Sequence, residues 1–454
     1  MKKLLLLFAL VLSSISVSAQ QFEVDGIQYN VLTTSPDYTV EVTKYNADYE
    51  EDLILNGTVS YAGHTYKVVR INERSFVWCE KKVVVNDLPY CTFIGNSAFG
   101  ACTGLTNVGD LSACTSIGTE AFSGCTSLTN VGDLSACTSI DKNTFYNCTS
   151  LTSVGDLSAC TSIGERAFYG CSSLTSIGDL SACTSIGNQA FFRCDSLMSV
   201  GDLNACTSIG NQAFHLCTNL MSIGDLSACT YIGNYAFCLC TSLTSIGDLS
   251  ACTWIGSDAF SNCSLDYVTL PATPPTWAGG IGGDHMTFLV PESAVATYRA
   301  AKNWSDIKLQ ILSKDAKHTW DVAAPVLNSI GADQFENVMT LKVSGNIDSD
   351  DIMYMRNKMF NLHRLDLTDA IFVASNKEYA TGYKTHDNSV GGFFDMLRLH
   401  SVKLPASAKV VEKDAFKNCT NIFTIQLPEG MTDIGQSAFS GCTGLKAVAF
   451  PSTL

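Results

Sequence analysis

The sequence predicts a solenoid, a coil of stacked rungs, and three observations carry that prediction. The 23-residue stretch LTNVGDLSACTSIGTEAFSGCTS, Leu105 to Ser127, returns in near-identical form from Leu128 to Ser150. Isoleucine keeps that step at Ile71, Ile94, Ile117, Ile140, Ile163, Ile186, Ile209, Ile232 and Ile255. Phenylalanine keeps it from Phe76 through Phe122 and Phe168 to Phe260. A period of about 20 to 50 residues marks a solenoid or an array. Within one rung Ile117, Phe122, Cys125, Leu128, Val131, Leu134 and Cys137 are apolar, every third residue after Phe122. That spacing belongs neither to a strand of period 2 nor to a helix of period 3.6. One rung cannot bury these side chains, whereas stacking, at about 1.5 to 3 kcal/mol per large side chain, makes a continuous core. Gly118 to Cys125 is expected to form one or two helical turns, and Leu128 to Val131 a short strand pairing in parallel with the next rung.

Residues 1–19, MKKLLLLFALVLSSISVSA, read as a secretory signal cleaved after Ala19: two lysines, an apolar run, then small residues. Ser13 and Ser14 interrupt the run before it reaches a membrane-spanning length of about 20 residues. No later segment is apolar enough to span, so the mature protein is expected to be secreted or at the cell surface. Residues 20–66 form an N-terminal β cap: Phe22, Val24, Ile27, Tyr29 and Val31 surround Asp25-Gly26, a tight hairpin turn, and Tyr38, Val40 and Val42 alternate after it. An open solenoid end exposes unpaired backbone and needs such a cover. The main array occupies 67–270. PATPPTW then breaks the period, and a helical stretch from Glu292 to about Asn303 completes a C-terminal cap over 271–312. A connector is expected over 313–337. Leu341/Val343, Leu362/Leu365/Leu367, Leu399/Val402/Leu404, Ile422/Ile425/Leu427 and Leu445/Val448/Phe450 restore a strand spacing over 338–454, a second, smaller and irregular array. Its last expected strand lies at the end of the sequence without a cap, to be covered by a partner or by further chain.

The chain carries 20 cysteines, an even number that suggests disulfides in an exported protein. Their positions say otherwise. Cys79 to Cys263 and Cys91 to Cys252 form two columns at the 23-residue step. Each column is one structural site repeated, where cysteine serves as a small buried apolar side chain. Column neighbours about 4.8 Å apart lie within disulfide reach. In-register side chains point alongside one another, so the reading is mostly free thiols, with cross-rung bonds as the alternative.

The formal charge of −15 disfavours phosphate and nucleic acid, which need clustered Lys and Arg. Gly279-Gly280-Ile281-Gly282-Gly283 lacks the Lys-Ser/Thr of a phosphate loop. No Cys and His spacing reads as zinc, and no cofactor is called for. The seven histidines are scattered, with only His363 and His400 near comparable strand ends. No constellation suggests catalysis.

The rungs of the form SIGxxAFxxCxSLTSI, as in Ser185 to Val200 and in Asp433 to Val448, resemble the BspA-like leucine-rich repeats of bacterial surface proteins. FEVDGIQYNV and FLVPESAVATYRAAKNW are similar to segments that flank such arrays in Bacteroidetes proteins. The resemblance implies a leucine-rich repeat solenoid coiled right-handed, export to the surface or medium, and in some members adhesion to matrix proteins or other bacteria. It supplies no catalytic residues. One departure stands out. Where Ile425-Gln426-Leu427-Pro428 shows the usual strand end, the central rungs put Asp110, Asp133, Asp156, Asp179, Asp202, Asp225 and Asp248 at an expected core position. An ionised, buried ladder of neighbours about 4.8 Å apart is excluded by repulsion. The reading is that Gly-Asp turns the chain outward and the carboxylate accepts a backbone N–H, with a cation-binding edge as the alternative.

The position after the core Phe reads Ser123, Tyr146, Tyr169, Phe192, His215, Cys238, Ser261, so four successive rungs place rings side by side. Such a stripe is a candidate ligand surface for sugar rings or a protein; the plainer reading is that the rings shield the turns from water. Tyr231 and Trp254 form a shorter pair in a column otherwise Ser. The expected function is a non-enzymatic binding or adhesion protein for an extracellular protein or glycan. The alternative is a spacer that holds another domain away from the cell.

Overall fold

The computed structural model describes residues 20–280, 286–445 and 448–454; the expected signal over 1–19 and most of the glycine-rich segment lie outside these. Gln21–Val24 and Ile27–Thr33 pair as an antiparallel hairpin. Its turn residues Asp25 and Gly26 both have positive φ, 48° and 71°, the geometry that matches the twist of the strands. Thr39–Tyr45 pairs antiparallel with the second strand and parallel with His64–Ile71. His64–Ile71 in turn pairs with Phe93–Ile94 of the array. The β cap therefore continues one sheet with the solenoid, and its last strand crosses the expected boundary at residue 66.

Each rung contributes two strand positions. One is the expected ladder: Leu53–Leu55, Val83–Val85, Leu105–Val108, Asn130–Val131 and Ser153–Val154 pair in parallel. Beyond Ser153 it thins to isolated bridges such as Ser176↔Ser199 and Ser222↔Ser245. The second, missed from sequence, is the longer. Ser116–Ile117, Ser139–Ile140, Ser162–Ile163, Ser185–Ile186, Ser208–Ile209, Tyr231–Ile232 and Trp254–Ile255 run in register. The threonine before most of these pairs reinforces the ladder, as where Thr184 N–H and Oγ1 both donate to Thr161 O at 2.8 and 3.0 Å.

The helical turns expected over Gly118 to Cys125 are a run of tight turns with no helix. Alternate N–H groups serve different partners. Ala121, Ser123 and Cys125 donate three residues back within the rung, while Glu120, Phe122 and Gly124 donate to Lys142, Thr144 and Tyr146 of the next. That alternation requires left-handed backbone at two positions four apart in each rung. Glu120 and Gly124 have φ of 60° and 74°, Arg166 and Gly170 55° and 72°, and Gln189 and Arg193 both 57°. A residue with a Cβ costs about 1–2 kcal/mol there, which the inter-rung hydrogen bonds offset.

The core columns stack as the period requires. Phe76 to Phe260 form an unbroken series of near-parallel rings, with centroids 4.9 Å apart at Phe76–Phe99 and 5.7 Å at Phe237–Phe260. Each such pair adds about 0.5–1.5 kcal/mol beyond area burial. All 20 cysteines have free thiols, and the two columns use them differently. Cys125 Sγ donates to Phe99 O of the preceding rung at 3.0 Å, and Cys148, Cys171 and Cys194 repeat the contact. Cys137 Sγ donates to Ser139 O at 3.1 Å, and Cys160 and Cys183 follow it. The thiol is thus a core side chain that also satisfies a carbonyl, which Ala or Val cannot do.

Tyr267–Thr269, Thr287–Val290 and Ile311–Ser313 form a parallel sheet at the end of the first core. Tyr298 and Trp304 are buried beneath it, with Trp304 Nε1 donating to Pro275 O and Tyr298 OH to Pro271 O. The helix expected from Glu292 is one short turn and Val295–Ala300. The expected connector is more than a link: Thr319–Ala323 within it pairs in parallel with Thr340–Ile347 and opens the second array. Arg364–Asp366, Ser401–Lys403 and Thr424–Gln426 continue that sheet, and Phe393, Phe416 and Phe439 stack behind it. Ser349–Lys358, unforeseen in the sequence, is a helix with a capping box between Asp348 and Asp351. No strand is described at Val448 to Phe450, and Phe450 is exposed. Two separate cores result, Phe22 to Ile311 and Val322 to Ala438, with Leu289, Leu312 and Met339 as a small cluster between them.

Candidate functional site

The aspartate column does not enter the core. The buried position is the next residue, Leu111, Leu134, Leu157 and their equivalents, while the aspartates are half-buried or exposed. Asp110 Oδ1 accepts from Ser112 N–H at 2.8 Å and Oδ2 from Ser112 Oγ at 2.9 Å. Asp156, Asp179 and Asp225 repeat both bonds with the serine two residues on. Each carboxylate closes an Asx-turn, the turn chemistry that Gly-Asp predicts.

The aromatic stripe is a stack. Tyr146 and Tyr169 lie 4.9 Å apart, Tyr169 and Phe192 4.8 Å, Phe192 and His215 5.1 Å, with interplanar angles of 15°, 2° and 21°. Tyr235 closes the far end edge-on against His215 at 6.5 Å, a ring the sequence reading passed over because it sits in another column. Burial holds the His215 imidazole below its usual pKa, which favours its neutral form. The faces of the inner rings are taken up by one another. Sugars stack on ring faces, and along the row these are covered; among the described rings none stacks on Tyr146 on the side away from Tyr169.

That face looks into a groove. Before Tyr146 its own column holds Ser123 and Gly100 and the adjoining column Gly124 and Ala101, too small to fill the row, until Trp78 of that adjoining column restores bulk with 71% of its surface exposed. The notch between Trp78 and Tyr146 spans three rungs, about 14 Å at about 4.8 Å each, and has a volume of about 450 Å³. Along its side runs a polar row. Glu120 accepts from Ser97 Oγ at 3.3 Å and from Asn143 Nδ2 at 3.4 Å, while Arg74 and Arg166 flank them. Arg166 Nε donates to Gln189 Oε1 and Gln189 Nε2 to Gln212 Oε1, both at 2.6 Å, which continues the row beside the rings. Trp78 was missed because its column holds Ala, Gly and Asn in the rungs that follow; only its exposure reveals it.

Tyr231 and Trp254 stand apart, on the Ser-Ile ladder, their rings parallel at 6.3 Å. They do not join the groove. No helix among the described residues is long and apolar enough to cross a membrane.

A family model for the BspA type leucine rich repeat region matches residues 69–197, 161–277 and 390–454, more than half of the chain. Among solved structures, the chain is similar to a leucine-rich repeat protein from Bacteroides ovatus, at 22% identity over 95% of both chains with a TM-score of 0.46. It is also similar to a leucine rich cell surface protein from Faecalibacterium prausnitzii, at 19% identity over 95% of this chain and 94% of that one, TM-score 0.36. A leucine rich repeat protein of T. pallidum covers 50% of this chain with 92% of its own, at 22% identity and TM-score 0.36. No curated protein matches.

Proposed function

The chain belongs to the BspA-type leucine-rich repeat family, and from that premise we propose that it is an exported, non-enzymatic binding protein that holds a glycan in the groove between Trp78 and Tyr146. The observation that carries the reading is the open face of Tyr146, opposed across a floor of small residues by the exposed Trp78. An aromatic face recognises the apolar side of a sugar ring, and the parallel row of Ser97, Glu120, Asn143 and Arg166 supplies donors and acceptors for its hydroxyls. Export is supported by the lysine pair, apolar run and small residues at the N-terminus. Presentation at a cell surface and adhesion to other cells follow from the same reading.

The test is a screen of the untagged protein against immobilised glycans and matrix proteins, followed by Trp78→Ala and Tyr146→Ser. The expected result is a glycan ligand whose affinity falls at least tenfold in either variant, while the melting temperature stays within a few degrees. A ligand indifferent to both substitutions removes the groove. A matrix protein as sole ligand removes the glycan assignment, and the absence of any ligand favours the spacer reading.

A further inference from the structure

The junction of the two arrays brings together three side chains that the sequence keeps far apart. Asp266 precedes the strand Tyr267–Thr269 at the end of the first array. His363 and His400 precede Arg364–Asp366 and Ser401–Lys403 of the second. Because Arg364 pairs with Ser401 in the parallel ladder, the two histidines occupy adjacent rungs at one register position, and their rings stack at 4.9 Å and 12°. Asp266 Oδ1 meets His400 Nδ1 across the junction. One ligating atom from each of the three lies within 4.8 Å of the other two. His363 is 1% exposed, His400 4%, and the Asp266 side chain 13%.

We propose that Asp266, His363 and His400 form a binding site for a divalent transition-metal ion, zinc in the first instance, that fastens the two arrays to each other. Two imidazoles and a carboxylate suit zinc and its neighbours, whereas calcium and magnesium take oxygen donors. Zinc bonds of about 2.0–2.2 Å need donors closer together than the outer limit of this cluster, a closure that small side-chain rotations supply. The surroundings resemble the outer shell of a metal site. Arg364 grips Asp266 Oδ2 through Nε at 2.8 Å and Nη2 at 2.6 Å, which fixes the carboxylate and leaves Oδ1 to face the imidazoles. Thr287 Oγ1 lies 3.3 Å from His363 Nε2 and orients that ring. Three protein donors leave a fourth position open, and Asp266 and His363 line a cleft of about 480 Å³ between the arrays through which an ion can enter. The ion joins residues from both cores, so its binding free energy opposes their separation.

The experiment is a titration of chelator-stripped, untagged, fully reduced protein with Co2+ and then with Zn2+. Visible absorption and calorimetry are recorded for the native chain, for His363→Gln and for Asp266→Asn. The expected result is one saturable equivalent, ligand-field bands of a nitrogen- and oxygen-ligated cobalt displaced by zinc, and affinity at least tenfold weaker in both variants. Zinc should also raise the melting temperature of the native chain. A near-ultraviolet thiolate band would place the metal on cysteines and overturn the assignment. So would the absence of a saturable equivalent in the native chain, a measurement that depends on no variant, or unchanged affinity in folded variants.

Discussion

The first array repeats one rung and the second does not, and the difference separates what a period can build from what it cannot. From Phe76 to Phe260 the Phe, Cys and Asp columns each hold one kind of side chain, so in them like meets like: phenyl on phenyl, thiol beside thiol, carboxylate above carboxylate. Such columns make a core but never gather unlike donors. In the second array the steps between strands vary, a helix over Ser349–Lys358 is inserted, and one register position runs Met339, His363, His400, Phe423. Mixed clusters form where the period fails. The groove obeys the same logic inside the first array, since it exists because the columns around Trp78 and Tyr146 vary.

The largest expected effect that divides the arrays is alkaline unfolding. Burial pushes the thiols up, to about 11 at Cys91 and Cys252 and about 12 at Cys114, Cys137, Cys183, Cys206 and Cys229. In the unfolded chain they titrate near about 8.5. A thiol whose folded pKa is raised keeps a proton that the unfolded chain releases. Stability is therefore intact below pH of about 8.5 and falls by about 1.4 kcal/mol per thiol per pH unit up to the folded value. Eighteen of the twenty cysteines precede residue 264, and all of these but Cys79, which its contact with Cys102 holds low, are raised, against Cys419 and Cys442 in the second array. Hydrogen exchange followed by region should show residues 67–270 losing protection one or more pH units before 338–454; simultaneous loss would erase the distinction.

Next in size is the ring stack. Phe122→Ala, Phe168→Ala and Phe214→Ala should each cost about 3–5 kcal/mol in urea melts, with values close together because the three sites are alike. Phe393→Ala and Phe416→Ala should differ from each other, since Phe393 meets Phe372 edge-on while Phe416 is stacked on both sides. A scattered first set would show that the rungs are not equivalent.

Smaller again is recognition. Once a ligand is in hand, Trp78→Ala and Tyr146→Ser should weaken it at least tenfold, about 1.4 kcal/mol, and Phe192→Ser less than threefold, as its faces are covered by neighbours. A loss at Phe192 equal to that at Tyr146 would restore the full row as the binding surface. Smallest are the caps: Asp348→Ala, which removes the capping box of the inserted helix, should cost about 1 kcal/mol. Asp156→Ala, an exposed Asx-turn, should cost half of that or less by the same thermal melts.

The columns of Ile, Phe, Leu and Cys were legible because a period is a one-dimensional signal. The Ser-Ile ladder was not, since two residues per rung show no alternation. Ring orientation was invisible for a different reason: sequence places Tyr146 and Tyr169 side by side but does not say that they cover each other's faces. The Asx-turns were read correctly from Gly-Asp. The meeting of Asp266 with His363 and His400 had no local trace beyond two histidines at comparable strand ends, because the contact depends on how two cores dock.

The paired left-handed residues of each rung have a consequence for how such a surface changes over generations. Arg74, Trp78, Ser97, Ala101, Glu120, Gly124, Asn143, Asn147 and Arg166 all adopt positive φ, and all line the groove. Their backbone is held by neighbouring rungs and their side chains take no part in the core, so drift at these columns meets little resistance from folding. Glycine at every one of them would relieve strain and yield a sturdier, smoother rod with nothing left to tell one ligand from another.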